Sequence, residues 1–240
     1  MKVMVLAAGK GERMRPLTDA TPKPLLEVGG KPLLAWHFEA LASAGYRDVV
    51  VNAAYLGQQI IDFCGDGSRW GLDIQMSVEP APLETAGGII EALPLLGGGP
   101  FVVLNGDVFT EYPLAQLRAV PLKPAGAHLV MVPNPPHNSC GDFALAEACN
   151  EPFGGQFKHL SQADDASWTY SGLGVYQADF FQHCERGPRP LKPLLDQAID
   201  RGALTGEIWS GVWTDVGTPQ RLAALDQTLS SESQRLGPYQ

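Results

Sequence analysis

Between Leu6 and Lys23 the chain gathers the residue types that hold phosphate: Gly9 and Gly11, and the cations Lys10, Arg13, Arg15 and Lys23. Without a Cβ, a glycine lets backbone N–H groups come close to an anion. Arg13 can fork onto two phosphate oxygens, whereas Lys23, in Thr21-Pro22-Lys23-Pro24, acts as a point charge. Two other phosphate motifs are excluded. No G-x-x-x-x-G-K string followed by Ser or Thr occurs, and Met14 stands where a dinucleotide fingerprint needs a third glycine. A bare G-x-G after a strand is equally at home in an ordinary tight turn.

Carboxylates form the second set. Phe101-Val102-Val103-Leu104-Asn105-Gly106-Asp107 reads as an apolar strand ending in Asp107, which puts that residue at the carboxyl edge of a parallel sheet, where open α/β sheets bind ligands. Chemistry between two anions needs charge neutralised, and Mg²⁺ on one or two carboxylates is the usual means. An aspartate there can also cap a following helix. Asp215, in Trp213-Thr214-Asp215-Val216-Gly217, is another aspartate at a strand end, and Asp142 fits a turn as well as a sugar contact. Glu79 opens a loop that runs to Gly87 and Gly88. Its carboxylate, an acceptor when ionised, suits the N3–H of uracil or the N1–H and N2–H₂ of guanine, so donor chemistry leaves the base open. Glu84 in the same loop reads equally as a helix cap.

These residues need a scaffold, and the pattern supplies one. Short β-rich runs at Val3 to Ala7, Asp48 to Asn52, Leu72 to Ser77 and Phe101 to Asn105 alternate with helical spacing at Leu34, Phe38 and Leu41, at Gln58 to Phe63 and at Ala86 to Leu96. That alternation predicts an α/β fold, a doubly wound and mainly parallel sheet. From about Pro121 the rhythm turns antiparallel, with strands expected at Ala127 to Pro133, Phe143 to Glu147 and Tyr170 to Tyr176. Helices at Pro190 to Arg201 and Pro219 to Leu229 frame a last β segment near Val212 to Val216. The expected organisation is one domain over 1–229, with a parallel half to about 120 and a smaller antiparallel half beyond it, then a frayed polar tail over 230–240.

Composition narrows the partners. Of 240 residues, 45% are hydrophobic and 18% charged, and the net charge is -9, which argues against a nucleic-acid surface of clustered Lys and Arg but leaves room for a locally positive pocket. The four cysteines, Cys64, Cys140, Cys149 and Cys184, show no metal or redox spacing, and each is expected as a buried reduced thiol. Met1 to Leu6 is too short for a signal h-region or a membrane span, so a cytoplasmic location with no membrane partner is expected.

The extended string resembles the sugar-1-phosphate nucleotidyltransferases, whose signature L-x-x-G-x-G-x-R-x-x-P-x-T followed by P-K is filled by Leu6, Gly9, Gly11, Arg13, Pro16, Thr18, Pro22 and Lys23. The resemblance covers about residues 1–229 and implies a Rossmann-like fold that joins a nucleoside triphosphate to a sugar 1-phosphate with Mg²⁺. It implies that Leu6, Ala7, Ala8, Gly9, Lys10 and Gly11 wrap the triphosphate. Arg13 would then hold the leaving pyrophosphate, and Lys23 would reach the α-phosphate or the sugar phosphate. It implies further that Asp107 and Asp215 hold the metal and that Glu79, Thr85, Gly87 and Gly88 surround the base. Asn105, Gly141, Asp142, Ser171 and Gly172 are left for the sugar, so the resemblance implies a nucleotide-binding half over about 1–120 and a sugar-binding half over about 121–229. The Glu-Lys-Pro element of many relatives is missing, and Lys192 is the candidate substitute, a solvated helix lysine being the plainer reading. Glu12 and Glu84, with strings such as Pro82-Leu83-Glu84-Thr85, resemble the branch that pairs UTP with N-acetylmuramate 1-phosphate. Guanylyl transfer to mannose- or heptose-type 1-phosphates, and a non-catalytic nucleotide-sugar-binding subunit, are the alternatives.

Overall fold

The computed structural model describes residues 1–145, 155–158 and 167–236. Four parallel strands come first: β1 (Lys2–Leu6), β2 (Asp48–Ala53), β3 (Asp73–Val78) and β4 (Phe101–Asn105). Their spatial order is β3-β2-β1-β4, and every ladder among them is parallel. α1 (Leu33–Ser43), α2 (Gly57–Cys64) and α3 (Glu84–Leu96) are the crossovers. From Val3 to Leu6 β1 is apolar because both of its faces are covered: Val3 and Val5 join one core with Phe38 and Ile60, while Met4 joins the other with Ile89. Each fully buried side chain of this size contributes roughly 1.5–3 kcal/mol.

The sheet continues through β4 into a mixed region, as the change of rhythm near Pro121 suggests. Here lie β5 (Val108–Thr110), β6 (Ala127–Val132), β7 (Phe143–Leu145), β8 (Gly155–Lys158), β9 (Ser167–Tyr176), β10 (Leu204–Ile208) and β11 (Trp213–Asp215). β9 runs antiparallel to β4 and β6, and β10 lies parallel to β6. α4 (Lys192–Asp200) covers this half on the α3 side, and α5 (Pro219–Leu236) closes a third cluster around Met14, Phe109 and Val216.

Several expectations change. β8 and β10 are strands where none was expected, and α5 runs on to Leu236, so Ser230 to Leu236 is helical rather than a frayed tail. Ala146 and Glu147, expected to finish a strand, lie outside the described residues, as do Cys149 and positions 237–240. Cys64 is buried as expected, but Cys140 is exposed in the turn before β7 and Cys184 is half-buried. Among the described residues no helix is long and apolar enough to cross a membrane.

Candidate active site

The carboxyl ends of the parallel strands meet at one edge. Gly106 N–H donates to the Leu6 carbonyl at 2.9 Å, and Glu79 N–H to the Ala53 carbonyl at 2.8 Å, so the loops leaving β1, β3 and β4 rise side by side. Between them lies a cavity of about 210 Å³. Leu6, Ala7, Ala8 and Gly9 form one wall, Leu83, Glu84 and Thr85 the other, and Asn105, Asp107 and Lys23 the end.

The loop after β1 is locked by its own bonds. The Thr18 hydroxyl and the Met14 N–H both donate to the Gly11 carbonyl at 2.8 Å, and the Tyr55 hydroxyl holds the Thr18 carbonyl. Gly11 has φ +63°, and a Cβ there would stand 2.9 Å from Thr18 Cγ2, so the turn demands glycine on two counts. Gly9 differs: a Cβ would meet nothing within 4 Å. Its smallness serves open space rather than packing, as close approach by a ligand would require. Lys10, Glu12 and Arg13 are exposed and, with Lys23, Asp107 and Gly217, line a second cleft that continues from the first. Arg15 faces away and pairs with Asp19.

Lys23 is 9% exposed and bonded to the Asp107 carboxylate. Asp107 leads into β5 rather than a helix, which removes the helix-cap reading. Behind it sits His37, buried at 5% exposure, with its Nε2 left without a hydrogen-bond partner among the described residues. Burial lowers the His37 pKa to about 4, so the ring is neutral at ordinary pH.

Glu79 is buried at 4% exposure, and both carboxylate oxygens already accept hydrogen bonds. Asn52 Nδ2 donates to Oε1 at 2.6 Å and Leu83 N–H to Oε2 at 3.0 Å, while Asn52 Oδ1 accepts from Ala7 N–H at 2.6 Å. Burial raises the Glu79 pKa, and these two donors oppose the rise. Asn52 was absent from the sequence-based set. Its signal was a lone polar residue ending the apolar run Val49 to Val51 at the same sheet edge as Asp107.

Gly87 and Gly88 are buried and do not line the cavity. A Cβ on Gly87 would stand 2.4 Å from the Gly187 carbonyl, and one on Gly88 would stand 2.7 Å from Glu79 Oε1. Their smallness therefore serves packing of α3, not approach to a base. The helix-cap reading of Glu84 also fails: the side chain makes no capping bond, and Ala86 N–H is met instead by the Arg189 carbonyl. Glu84 is exposed at φ +61°, an uncommon conformation for a residue with a Cβ.

A further cavity opens past Glu84, Thr85 and Asn105, bounded by Asp142, Phe143, Tyr170 and Lys192. Asp142 accepts from Asn138 Nδ2 at 3.2 Å and Tyr170 N–H at 2.8 Å. Lys192 pairs with Asp196 at 2.8 Å and lies 4.9 Å from the Phe143 ring centroid. The other expected sugar residues stand back from it. Ser171 is buried and donates its hydroxyl to the Val130 carbonyl at 2.6 Å. Gly172 forms a bulge in β9, where a Cβ would stand 2.6 Å from Asn105 Nδ2, and Gly141 makes the turn against Asn134 and Ser167.

Asp215 is paired in the β11–β5 ladder with Val108, and Val216 N–H donates to the Asp107 carbonyl at 2.8 Å, so Asp215 at the end of β11 lies beside the turn that carries Asp107. Asp215 Oδ1 holds both Arg221 and His137 at 3.0 Å and borders a separate cavity. Its Oδ2 lies 3.0 Å from where a Cβ on Gly217 would be, and Gly217 lines the second cleft. Among the described residues no three or more metal-type side chains cluster. Two carboxylates, with phosphate and water supplying the rest, is nonetheless the pattern of Mg²⁺, which is rarely caged by protein alone.

The nucleotidyl transferase family model matches residues 2–150. The chain is 48% identical over 230 residues to N-acetylmuramate alpha-1-phosphate uridylyltransferase of Neisseria meningitidis serogroup B, covering 92% of this chain and 95% of that one. A probable mannose-1-phosphate guanylyltransferase 1 of Oryza sativa is 30% identical over 225 residues, which span 92% of this chain and 62% of that protein. A putative glucose-1-phosphate thymidylyltransferase from Bacillus anthracis superposes with a TM-score of 0.80 over 96% of this chain and 95% of its own at 20% identity, which shows the shared fold.

Proposed function

The chain belongs to the nucleotidyl transferase family, and from that premise we propose that it transfers the uridylyl group of UTP to N-acetylmuramate 1-phosphate and releases pyrophosphate. The observation that carries the reading is the meeting of three clefts: Lys23 and Asp107 border the first cavity and the phosphate-side cleft, Thr85 and Asn105 border the first and the sugar-side cavity, and Glu84 borders all three. A nucleoside, its polyphosphate tail and a second phosphorylated sugar need such a junction. The choice of UTP and of the muramate rests on the relative that matches nearly end to end.

In this account a sugar 1-phosphate oxygen attacks the α-phosphorus in line; a new P–O bond forms as the bond to the β-phosphate oxygen breaks, and pyrophosphate leaves with that electron pair. The attacking phosphate is already an anion, so no protein nucleophile is required. The protein positions and neutralises. Lys10 and Arg13 receive the departing pyrophosphate along the Gly9 to Arg13 loop, and Lys23 places its charge at the junction, where a water-poor site strengthens it. Asp107 and Asp215 would hold Mg²⁺, which when bound neutralises charge on the transferring phosphate. Asp142 and Lys192 face the sugar.

Pyrophosphate release measured over four nucleoside triphosphates and several sugar 1-phosphates tests the proposal. UTP with N-acetylmuramate 1-phosphate should give the highest kcat/KM. No release with that pair would overturn the substrate assignment, and release with no pair at all would overturn the activity.

A further inference from the structure

Asn52 and Glu79 form a closed chain of hydrogen bonds across the floor of the first cavity. Ala7 N–H donates to Asn52 Oδ1, Asn52 Nδ2 donates to Glu79 Oε1, and Leu83 N–H donates to Glu79 Oε2, at 2.6, 2.6 and 3.0 Å. Ala7 belongs to one wall of the cavity and Leu83 to the other. Asn52 and Glu79 are 3% and 4% exposed, and α3 seals them from behind at Gly88, where a Cβ would stand 2.8 Å from Asn52 Nδ2. Each polar atom in the chain has a partner of opposite role, and inside a protein a broken link of this kind costs far more than the mean value of a hydrogen bond.

We propose that Asn52 and Glu79 are a positioning pair that sets the distance between the phosphate-loop wall and the base-loop wall, and that Glu79 acts as a strut rather than as the reader of the nucleobase. This rests on the nucleotide-binding role argued above for the cavity. The polarity of the bridge makes it testable by exchange. In Glu79→Gln, the new amide must point a donor at either Asn52 Nδ2 or Leu83 N–H. In Asn52→Asp, an acceptor faces the Glu79 carboxylate. Combined, the two changes restore every link: the carboxylate at position 52 accepts from Ala7 N–H and from the amide at position 79, whose oxygen accepts from Leu83 N–H. The buried charge is conserved and merely moves from one side of the bridge to the other.

The experiment measures KM and kcat for all four nucleoside triphosphates with wild type, E79Q, N52D and the double variant, together with their thermal melting. Each single change should raise the nucleotide KM by about tenfold or more and lower melting, with a smaller effect on kcat. The double variant should return KM to within about threefold of wild type, recover melting, and keep the wild-type ranking of bases. A double variant as impaired as the product of the singles, or one that does not fold, overturns the proposal. So does a changed base ranking in E79Q that persists in the double variant, since that is the signature of a carboxylate reading the base directly. If wild type prefers a nucleotide other than UTP, the substrate assignment fails by itself, and the exchange is read with the preferred nucleotide.

Discussion

Two lysines face the adjoining cavities, and each is paired with an aspartate in the free protein. Lys23 is nearly buried, and Asp107 reaches it from 84 residues away across the sheet edge. Lys192 has a side chain 61% exposed, and Asp196 is one helical turn along α4. Such a pair needs the surrounding fold to hold it, because losing Asp107 would leave the nearly buried Lys23 charge without a partner. An exposed pair one turn apart contributes less than about 1 kcal/mol and leaves the lysine free to swing. The Lys23 end of the site is thus preset by the fold, whereas the Lys192 side presents groups that can rearrange around a ligand.

The largest effect should separate the two. Lys23→Ala should lower kcat by about 10²–10³-fold and also reduce melting, while Arg13→Ala, exposed and unneeded for folding, should lose about 10²-fold in turnover with unchanged melting. If the loss in Arg13→Ala tracked loss of folded protein, its role at the phosphate would be wrong. A second test concerns His37, buried close to Asp107. His37 has its folded pKa lowered to about 4 by burial, so between the unfolded value near 6.5 and about 4 the unfolded chain takes up a proton that the folded one does not. Stability should therefore be fully present above about pH 6.5 and fall as pH drops toward 4, by up to roughly 3 kcal/mol from this residue, a slope that His37→Gln should flatten in urea melts at stepped pH. On the sugar side, Lys192→Ala should raise the sugar 1-phosphate KM by about tenfold at most, leave the nucleotide KM alone and shift stability by less than about 0.5 kcal/mol. Equal changes in both KM values would erase the contrast between the lysines. The smallest effect belongs to Glu84 at the shared corner. Glu84→Gly relieves its positive φ and should gain about 0.5–1 kcal/mol in melting while weakening catalysis.

The same contrast explains what could be read beforehand. The parallel half was legible because β1, β2 and β4 are mostly buried apolar runs, β3 alternates buried and exposed residues, and the crossovers are local, while Leu6 to Lys23 holds its chemistry in one short segment. β8 and β10 escaped because Gly155 to Lys158 and Leu204 to Ile208 carry glycine and polar residues, and β10 pairs with β6 and β8, both far away in sequence. Glu79 lines the cavity, yet its two internal hydrogen bonds depend on Asn52, 27 residues away, and on the Leu83 N–H, and that pairing is set by the fold rather than by the neighbouring sequence. Ser171 and Gly172 fell in the right strand, but the bulge turns the Ser171 hydroxyl onto Val130 instead of into the cavity. Gly87 and Gly88 were informative residues read for the wrong neighbour: their close contacts are to Gly187 and Glu79.

The central claim is a single transfer step at the Lys23–Asp107 junction, with nucleotide and sugar phosphate bound together. The stereochemistry at the α-phosphorus reports on it directly, using one diastereomer of UTP carrying sulfur on the α-phosphate, with N-acetylmuramate 1-phosphate as acceptor. One in-line attack inverts that centre, and inversion is the expected result. Retention, which requires two displacements and a covalent nucleotidyl-protein intermediate, would contradict the account.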